Sequence, residues 1–151
     1  MYFYPDYNEV EYDFTPFDEY LEKIRCENRI IVKHDLFDES DPSVSIPSKR
    51  KILINDNYST SIVSSFEYAH EIGHVLLFSD SQKLYGFSEL VTSAEERAAH
   101  LWALNAFYQV ASQNDYIPNY VYAMTALGLP NSFEAMIRKV WYQYSDPFAI
   151  N

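Results

Sequence analysis

Residues 70–77 read HEIGHVLL, and this stretch is the strongest indication of the fold in the sequence. It lies in a segment, roughly 60–78, whose pattern predicts a helix. His70 and His74 are four residues apart, so on a helix their side chains project from one face. Both imidazoles can then reach a single Zn²⁺. Glu71 lies beside them, where its carboxylate can take a proton from water that the metal activates.

This HExxH pattern is typical of zinc-dependent peptidases, although a helix with one core histidine and one surface histidine is an alternative explanation. A catalytic zinc needs a third protein ligand. The available side chains are His34, His100, Glu89, Glu95 and Glu96. In zincins of the glutamate type, the third ligand comes from a second helix about twenty or more residues later. Glu95 and Glu96 lie 21 and 22 residues after His74, and this spacing leaves both open.

The composition predicts one folded domain that spans residues 1–151. The chain is 48% hydrophobic and 17% aromatic, which is typical of a globular protein. Its one cysteine, Cys26, excludes an internal disulfide and fits a reducing compartment. The N-terminal residues do not resemble a signal peptide, and no apolar run approaches the ~20 residues of a membrane span. We therefore expect a soluble cytoplasmic protein without a membrane partner.

The formal net charge is −11, which argues against direct binding of nucleic acid because phosphate contacts need a basic surface. It favours a neutral or basic partner. Solubility alone explains the charge equally well.

The order of predicted elements indicates an α+β fold. A small antiparallel sheet comes before a zincin-like core, in which the HExxH helix pairs with a glutamate-bearing helix, and further helices follow. The predicted helices cover roughly 16–28, 60–78, 93–112, 118–127 and 132–144, and the strands cover 30–32, 44–46 and 51–54. Thr15 and Ser93 are the expected N-caps of their helices. The HExxH helix has three alternative N-caps, Ser59, Thr60 and Ser64. Residues 79–92 are predicted to form a loop.

Two motifs together resemble the ImmA/IrrE family of metallopeptidases. HEIGHVLL and the later ERAAHLWA, residues 96–103, are similar to the family's HELGHxLL and ExxAxxFA, the second often with Trp in the aromatic place. This alignment puts Glu96 on the family's metal-binding glutamate and Ala99 on its alanine. The strand 51–55 also resembles the family's strand before the active helix. The resemblance covers roughly 45–105, and the chain departs from it at Phe78 and at 104–107.

The resemblance implies a Zn²⁺ ion held by His70, His74 and Glu96, with Glu71 as the catalytic base. It also implies a protein substrate. Members of the family are frequently encoded by phages and mobile elements, and they cleave or inactivate a helix-turn-helix transcriptional repressor. The edge of strand 51–54 is a possible place for an extended substrate. His100 lies one turn after Glu96 and either orients a ligand or is an ordinary core or surface histidine.

Two other functions fit parts of the sequence. The first is a non-catalytic antirepressor that sequesters a regulator on the same scaffold, with zinc serving the structure. The second is a regulator that binds DNA through the C-terminal helices 118–144. Arg138 and Lys139 are the only Lys or Arg residues there, so the acidic chain disfavours this second alternative.

Overall fold

A computed structural model of the protein describes residues 11–80, 85–86 and 93–145. The α+β prediction is confirmed: an N-terminal helix precedes a small sheet, and α2 packs most extensively against α3. The elements are α1 (Thr15–Glu27), β1 (Ile31–Asp35), β2 (Val44–Ile46), β3 (Lys51–Asn55), α2 (Ser64–Leu77), β4 (Tyr85–Gly86), α3 (Ala94–Gln113), α4 (Tyr120–Leu127) and α5 (Glu134–Ser145). Within these residues, no helix is both long and apolar enough to cross a membrane.

The sheet has the order β1-β3-β2-β4 and is mixed, so the expectation of a purely antiparallel sheet is wrong. β2 is antiparallel to β3, and a short 3-10 turn at Pro47–Lys49 joins the two strands. β1 is parallel to β3, with Ile31 opposite Lys51, because the chain reverses twice between them. β3 is therefore an interior strand with a neighbour on each side. It offers no free edge for an extended substrate, and that prediction is also wrong.

Backbone contacts, not side chains, fix the start of α2. Its N-cap is Val63, and no side chain caps the helix, so the candidates Ser59, Thr60 and Ser64 are not confirmed. The Val63 N–H donates to the Leu127 carbonyl at 2.9 Å, at the end of α4. Tertiary packing thus replaces local capping here. Thr15 is likewise not a cap but the first residue of α1, after Phe14.

The start of α3 follows the sequence prediction. Ser93 is the N-cap, and its hydroxyl accepts a hydrogen bond from the Glu96 N–H at 3.1 Å. This cap satisfies one of the free N–H groups of the first turn and fixes the backbone of Glu96. The predicted loop 79–92 contains β4, which pairs with β2, while residues 81–84 and 87–92 lie outside the described part of the chain.

Small residues let α2 and α3 approach each other closely. A Cβ atom added to Gly73 would lie 3.2 Å from the Ala99 carbonyl oxygen and 3.4 Å from the Trp102 Cβ. The first separation is tight for a real Cβ and involves backbone that cannot rotate away, and the second is close to ordinary van der Waals contact. Ala99 and Ala103 are fully buried on α3. Gly73 and these alanines therefore allow the two helices to pack closely.

The end of β3 is held by the buried side chain of Asn55. Its amide nitrogen donates to the carbonyl oxygens of Asp38 at 2.8 Å and Asp41 at 2.6 Å. Its side-chain oxygen accepts from the N–H groups of Phe37 and Asn57, both at 3.0 Å. One side chain therefore satisfies four backbone groups and ties the segment after β1 to the end of β3.

Candidate metal centre

α2 and α3 bring three side chains to one point between them. The Nε2 atoms of His70 and His74 are 3.0 Å apart. Oε2 of Glu96 lies 3.1 Å from Nε2 of His70, and Oε1 lies 2.9 Å from Nε2 of His74. Both histidines are completely buried, and the Glu96 side chain is 12% exposed. The helical spacing of HEIGH places both histidines on one face of α2, and the packing of α3 against α2 brings Glu96 to them.

The three side chains fit a metal ion. Their ligand atoms all lie within 4.8 Å of one another, and within the described ranges no other such group of His, Cys, Asp and Glu is found. Two imidazoles and a carboxylate form a donor set that zinc uses. A tetrahedral zinc with bonds of about 2.0–2.1 Å would space its ligands about 3.3 Å apart. The observed separations of 2.9–3.1 Å are close to that value.

The charges of the cluster also suit a cation. Burial acts to raise the pKa of the Glu96 carboxyl, but hydrogen bonds and charge interactions with His70 and His74 outweigh it, and the pKa falls to about 2. Burial lowers the pKa of His70, against the opposing effect of Glu96. At neutral pH the cluster therefore contains a charged carboxylate and a neutral His70 imidazole, which are the forms that bind metal.

Glu71 lies next to the cluster in a dry environment. It is completely buried, and neither carboxylate oxygen forms a hydrogen bond of regular geometry with the residues described. Burial raises the pKa of Glu71 well above its ordinary value; the Ser45 hydroxyl on β2 opposes this, and the charges of Glu96 and Glu67 add to it. A raised pKa favours uptake of a proton by this carboxyl, which is the step that a general base performs.

His100 packs behind the cluster. It is fully buried, its ring centroid lies 4.1 Å from that of His70, and its other side meets Phe133 edge-on at 4.6 Å. Its Nε2 atom lies 3.9 Å from Oε2 of Glu96, which is beyond hydrogen-bond length. Of the predicted roles, a solvated histidine is excluded. His100 is packed in the core and lies against two members of the cluster.

The remaining candidates do not join the cluster. Glu95 is described but is not part of the group. His34 lies on β1 and is exposed, and its Nδ1 atom is 3.0 Å from Oδ1 of Asp56. Glu89 lies outside the described residues. Sequence reasoning missed the contribution of Ser45, for which the only signal was a polar residue inside a short β-branched strand.

No protein-family model matches the chain, and neither the curated proteins nor the solved structures give a significant match. The site itself therefore defines the class: an α+β protein with a buried His-His-Glu group on two packed helices, consistent with a zincin site of the HExxH type. The resemblance to ImmA/IrrE metallopeptidases stays a prediction.

Proposed function

We propose that this protein is a zinc-dependent metallopeptidase. The observation that supports it most is the convergence of His70, His74 and Glu96 beside the buried carboxyl of Glu71. A structural zinc is usually enclosed by four protein ligands, whereas a catalytic zinc has three and an open position. The cluster of three ligands found here fits the catalytic type.

Each residue has a distinct role in this proposal. His70, His74 and Glu96 hold the ion, and Ser93 fixes the backbone of Glu96. A bound zinc would polarise the scissile carbonyl and lower the pKa of water towards about 7. Glu71 accepts the proton of the attacking water and passes it to the leaving amine. Its buried position serves this step because a carboxylate away from bulk water gains more from taking up a proton.

The substrate in this proposal is a cytoplasmic transcriptional repressor of the helix-turn-helix type, encoded by a phage or mobile element. Two observations support it: the paired motifs in α2 and α3, and the net charge of −11, which favours a basic partner. Cleavage or inactivation of the repressor would release the genes that it controls.

The decisive experiment replaces the proposed base. Glu71→Gln keeps the size of the side chain and leaves all three ligands in place, so the variant should still bind one zinc per chain. Cleavage should fall by about 100-fold or more. Zinc is measured by mass spectrometry of the purified protein, and cleavage is measured on repressors encoded beside the gene and on an unstructured substrate such as casein.

Glu95→Gln is the matched control, because it makes the same change one residue before the proposed ligand and should leave both readouts unchanged. A Glu71→Gln protein that holds zinc and still cleaves at the parent rate would refute the assigned base. If a repressor binds equally to the parent and to Glu71→Gln, and neither protein cleaves it, the protein acts as an antirepressor.

A further inference from the structure

A cavity that does not include the metal centre lies between α1, the end of β3 and the start of α2. Its volume is about 520 Å³, which is in the usual range for ligand pockets. None of His70, Glu71, His74 or Glu96 lines it. We call it the α1–α2 pocket. Its lining includes Asp18, Glu22, His34, Asp56, Glu67 and Tyr68.

The lining of the α1–α2 pocket is strongly acidic. Among the described residues, four carboxyl groups line it, and His34 is the one lining side chain that can carry a positive charge. His34 is already close to Asp56, at 3.0 Å. Glu22 accepts a hydrogen bond from the Tyr68 hydroxyl at 2.9 Å and lies 2.9 Å from Arg25. The described lining thus has more negative charge than its own groups neutralise.

Glu67 is the most buried of these four acids. The residue is only 6% exposed, and its Oε1 atom is buried with no hydrogen-bond partner in the described structure. Ser43 interacts with the carboxyl, yet burial still raises the pKa of Glu67. A buried carboxylate without a counter-charge is costly, and a cation that enters the pocket would supply one.

The spacing of the acids selects the kind of cation. No three of these carboxyl groups have ligand atoms within 4.8 Å of one another, so they do not form a site for a single metal ion. An extended cation with several donors suits them better. The walls also include the rings of Tyr58 and Tyr68 and the side chains of Ile54 and Ile62. A planar guanidinium on an aliphatic stem matches both the acidic groups and these aromatic and apolar walls.

We infer that the α1–α2 pocket binds the arginine side chain of a protein partner. Glu22 and Asp56 would meet the guanidinium near the mouth, where both are about half exposed, and Glu67 would supply charge from deeper in the wall. The inference does not require the protein to be a peptidase. If it is one, the pocket gives it a second point of contact with a basic substrate.

The test uses the full chain, without added metal, and amide chemical shifts from NMR. The probe is the capped peptide acetyl-Gly-Arg-Gly-amide, compared with the same peptide carrying citrulline, which is neutral and nearly isosteric, or lysine. The arginine peptide should bind with a dissociation constant below about 1 mM and shift amides of α1 and the first turn of α2. Citrulline should bind at least 10-fold more weakly, because charge-assisted hydrogen bonds are lost.

Variants locate the binding within the molecule. Glu22→Gln with Asp56→Asn, and separately Glu67→Gln, should each weaken the arginine peptide by about 10-fold. Glu19→Gln with Glu39→Gln is the matched control for charge, since these exposed acids do not line the pocket, and its affinity should change less than 2-fold. Thermal melts establish that each variant is folded.

Several results would overturn the inference. Equal binding of citrulline or lysine would exclude recognition of a guanidinium, and shifts elsewhere would exclude this pocket. Free L-arginine should bind more weakly than the peptide, because the acidic walls repel its carboxylate. Equal or tighter binding would point to a small metabolite instead of a protein side chain. Displacement of the peptide by submillimolar Ca²⁺ would favour a metal ion. None of these readouts depends on cleavage, so they test the pocket separately from the peptidase.

Discussion

Metal binding should depend on Glu96 and not on its neighbour Glu95. Only Glu96 places its carboxylate oxygens about 3 Å from the two histidine nitrogens. Glu96→Ala should therefore lower the affinity for zinc by about 100-fold or more, since it removes a ligand and not merely a supporting contact. Glu95→Ala should cost only a helix-terminus interaction of ~0.3–1 kcal/mol. Titration against a competing chelator measures both, and the reverse ranking would move the third ligand to Glu95.

The site residues could be predicted from the sequence because a local sequence pattern marks each of them. His70, Glu71 and His74 are set by one helical repeat, and Glu96 follows from a cap and a motif register in the next helix. His100 was harder, because its burial depends on Phe133 from a distant part of the chain. Glu67 was not predicted as a functional residue at all, since nothing in its sequence surroundings signals that one of its oxygens is buried without a partner.

At the scale of elements, the contact between α2 and α3 sets the distance between Glu96 and the histidines. Gly73→Ala should test this. The change gains about 0.8–1 kcal/mol of helix propensity but pushes a Cβ against the Ala99 carbonyl, which lies 3.2 Å from that position. We expect little net change in thermal stability, because the two effects offset. Zinc affinity should nevertheless fall by about 10-fold as α3 shifts.

Ser112→Ala is the control for Gly73→Ala, because Ser112 is exposed and lies far along α3 from the site. Its zinc affinity should be unchanged. A glycine substitution such as Ala106→Gly is not suitable, because it alters the flexibility of the helix. Zinc affinity in Gly73→Ala equal to that of the parent would show that the two helices can separate without disturbing the site.

The helices other than α2 were predicted closely, whereas the start of α2, the cap of α1 and the strand direction were not. α3 and α4 begin and end within two residues of their predicted bounds, because their apolar periodicity and the break at Gly128 are local signals. Whether β1 is parallel or antiparallel to β3 depends on how many reversals separate them in space, which periodicity does not report. The start of α2 depends on a bond to Leu127, more than sixty residues away in the chain.

At the scale of the whole molecule, Glu67 should make stability depend on pH in an unusual direction. Burial raises the pKa of its carboxyl above the ordinary 4.5. Below that value the group is protonated in both the folded and unfolded chain and has no effect. As the pH rises, the unfolded chain loses the proton first, so the fold loses stability. Glu67→Gln should therefore raise the melting temperature at pH 7, with a gain that shrinks towards pH 4.

Glu19→Gln, an exposed acid on α1, should show no such trend, and melting curves between pH 4 and 8 measure both proteins. A gain for Glu67→Gln that is equal at every pH would mean that packing, not charge, explains it. If Glu67→Gln also weakens binding of the arginine peptide, the Glu67 carboxyl lowers the stability of the free protein and raises its affinity for the peptide.

The hydrogen bonds of Asn55 make its rate of deamidation depend on whether the protein is folded. An asparagine deamidates when the next backbone nitrogen attacks its side-chain carbonyl carbon and expels ammonia. Water then opens the resulting succinimide to give aspartate or isoaspartate. Here the Asp56 nitrogen donates to the Asp35 carbonyl at 2.9 Å, and the amide itself is held by four hydrogen bonds. Attack therefore has to wait until this region opens.

Once formed, the acid would turn a carboxylate towards the carbonyl oxygens of Asp38 and Asp41 where an NH₂ group had donated, so the damaged chain should refold poorly. Peptide mapping by mass spectrometry after storage should find Asn55 intact in folded protein and deamidated after incubation in urea. Equal rates in the two conditions would show that the network does not protect it. With protection only in the folded state, the extent of deamidation at Asn55 records how long a molecule has spent unfolded.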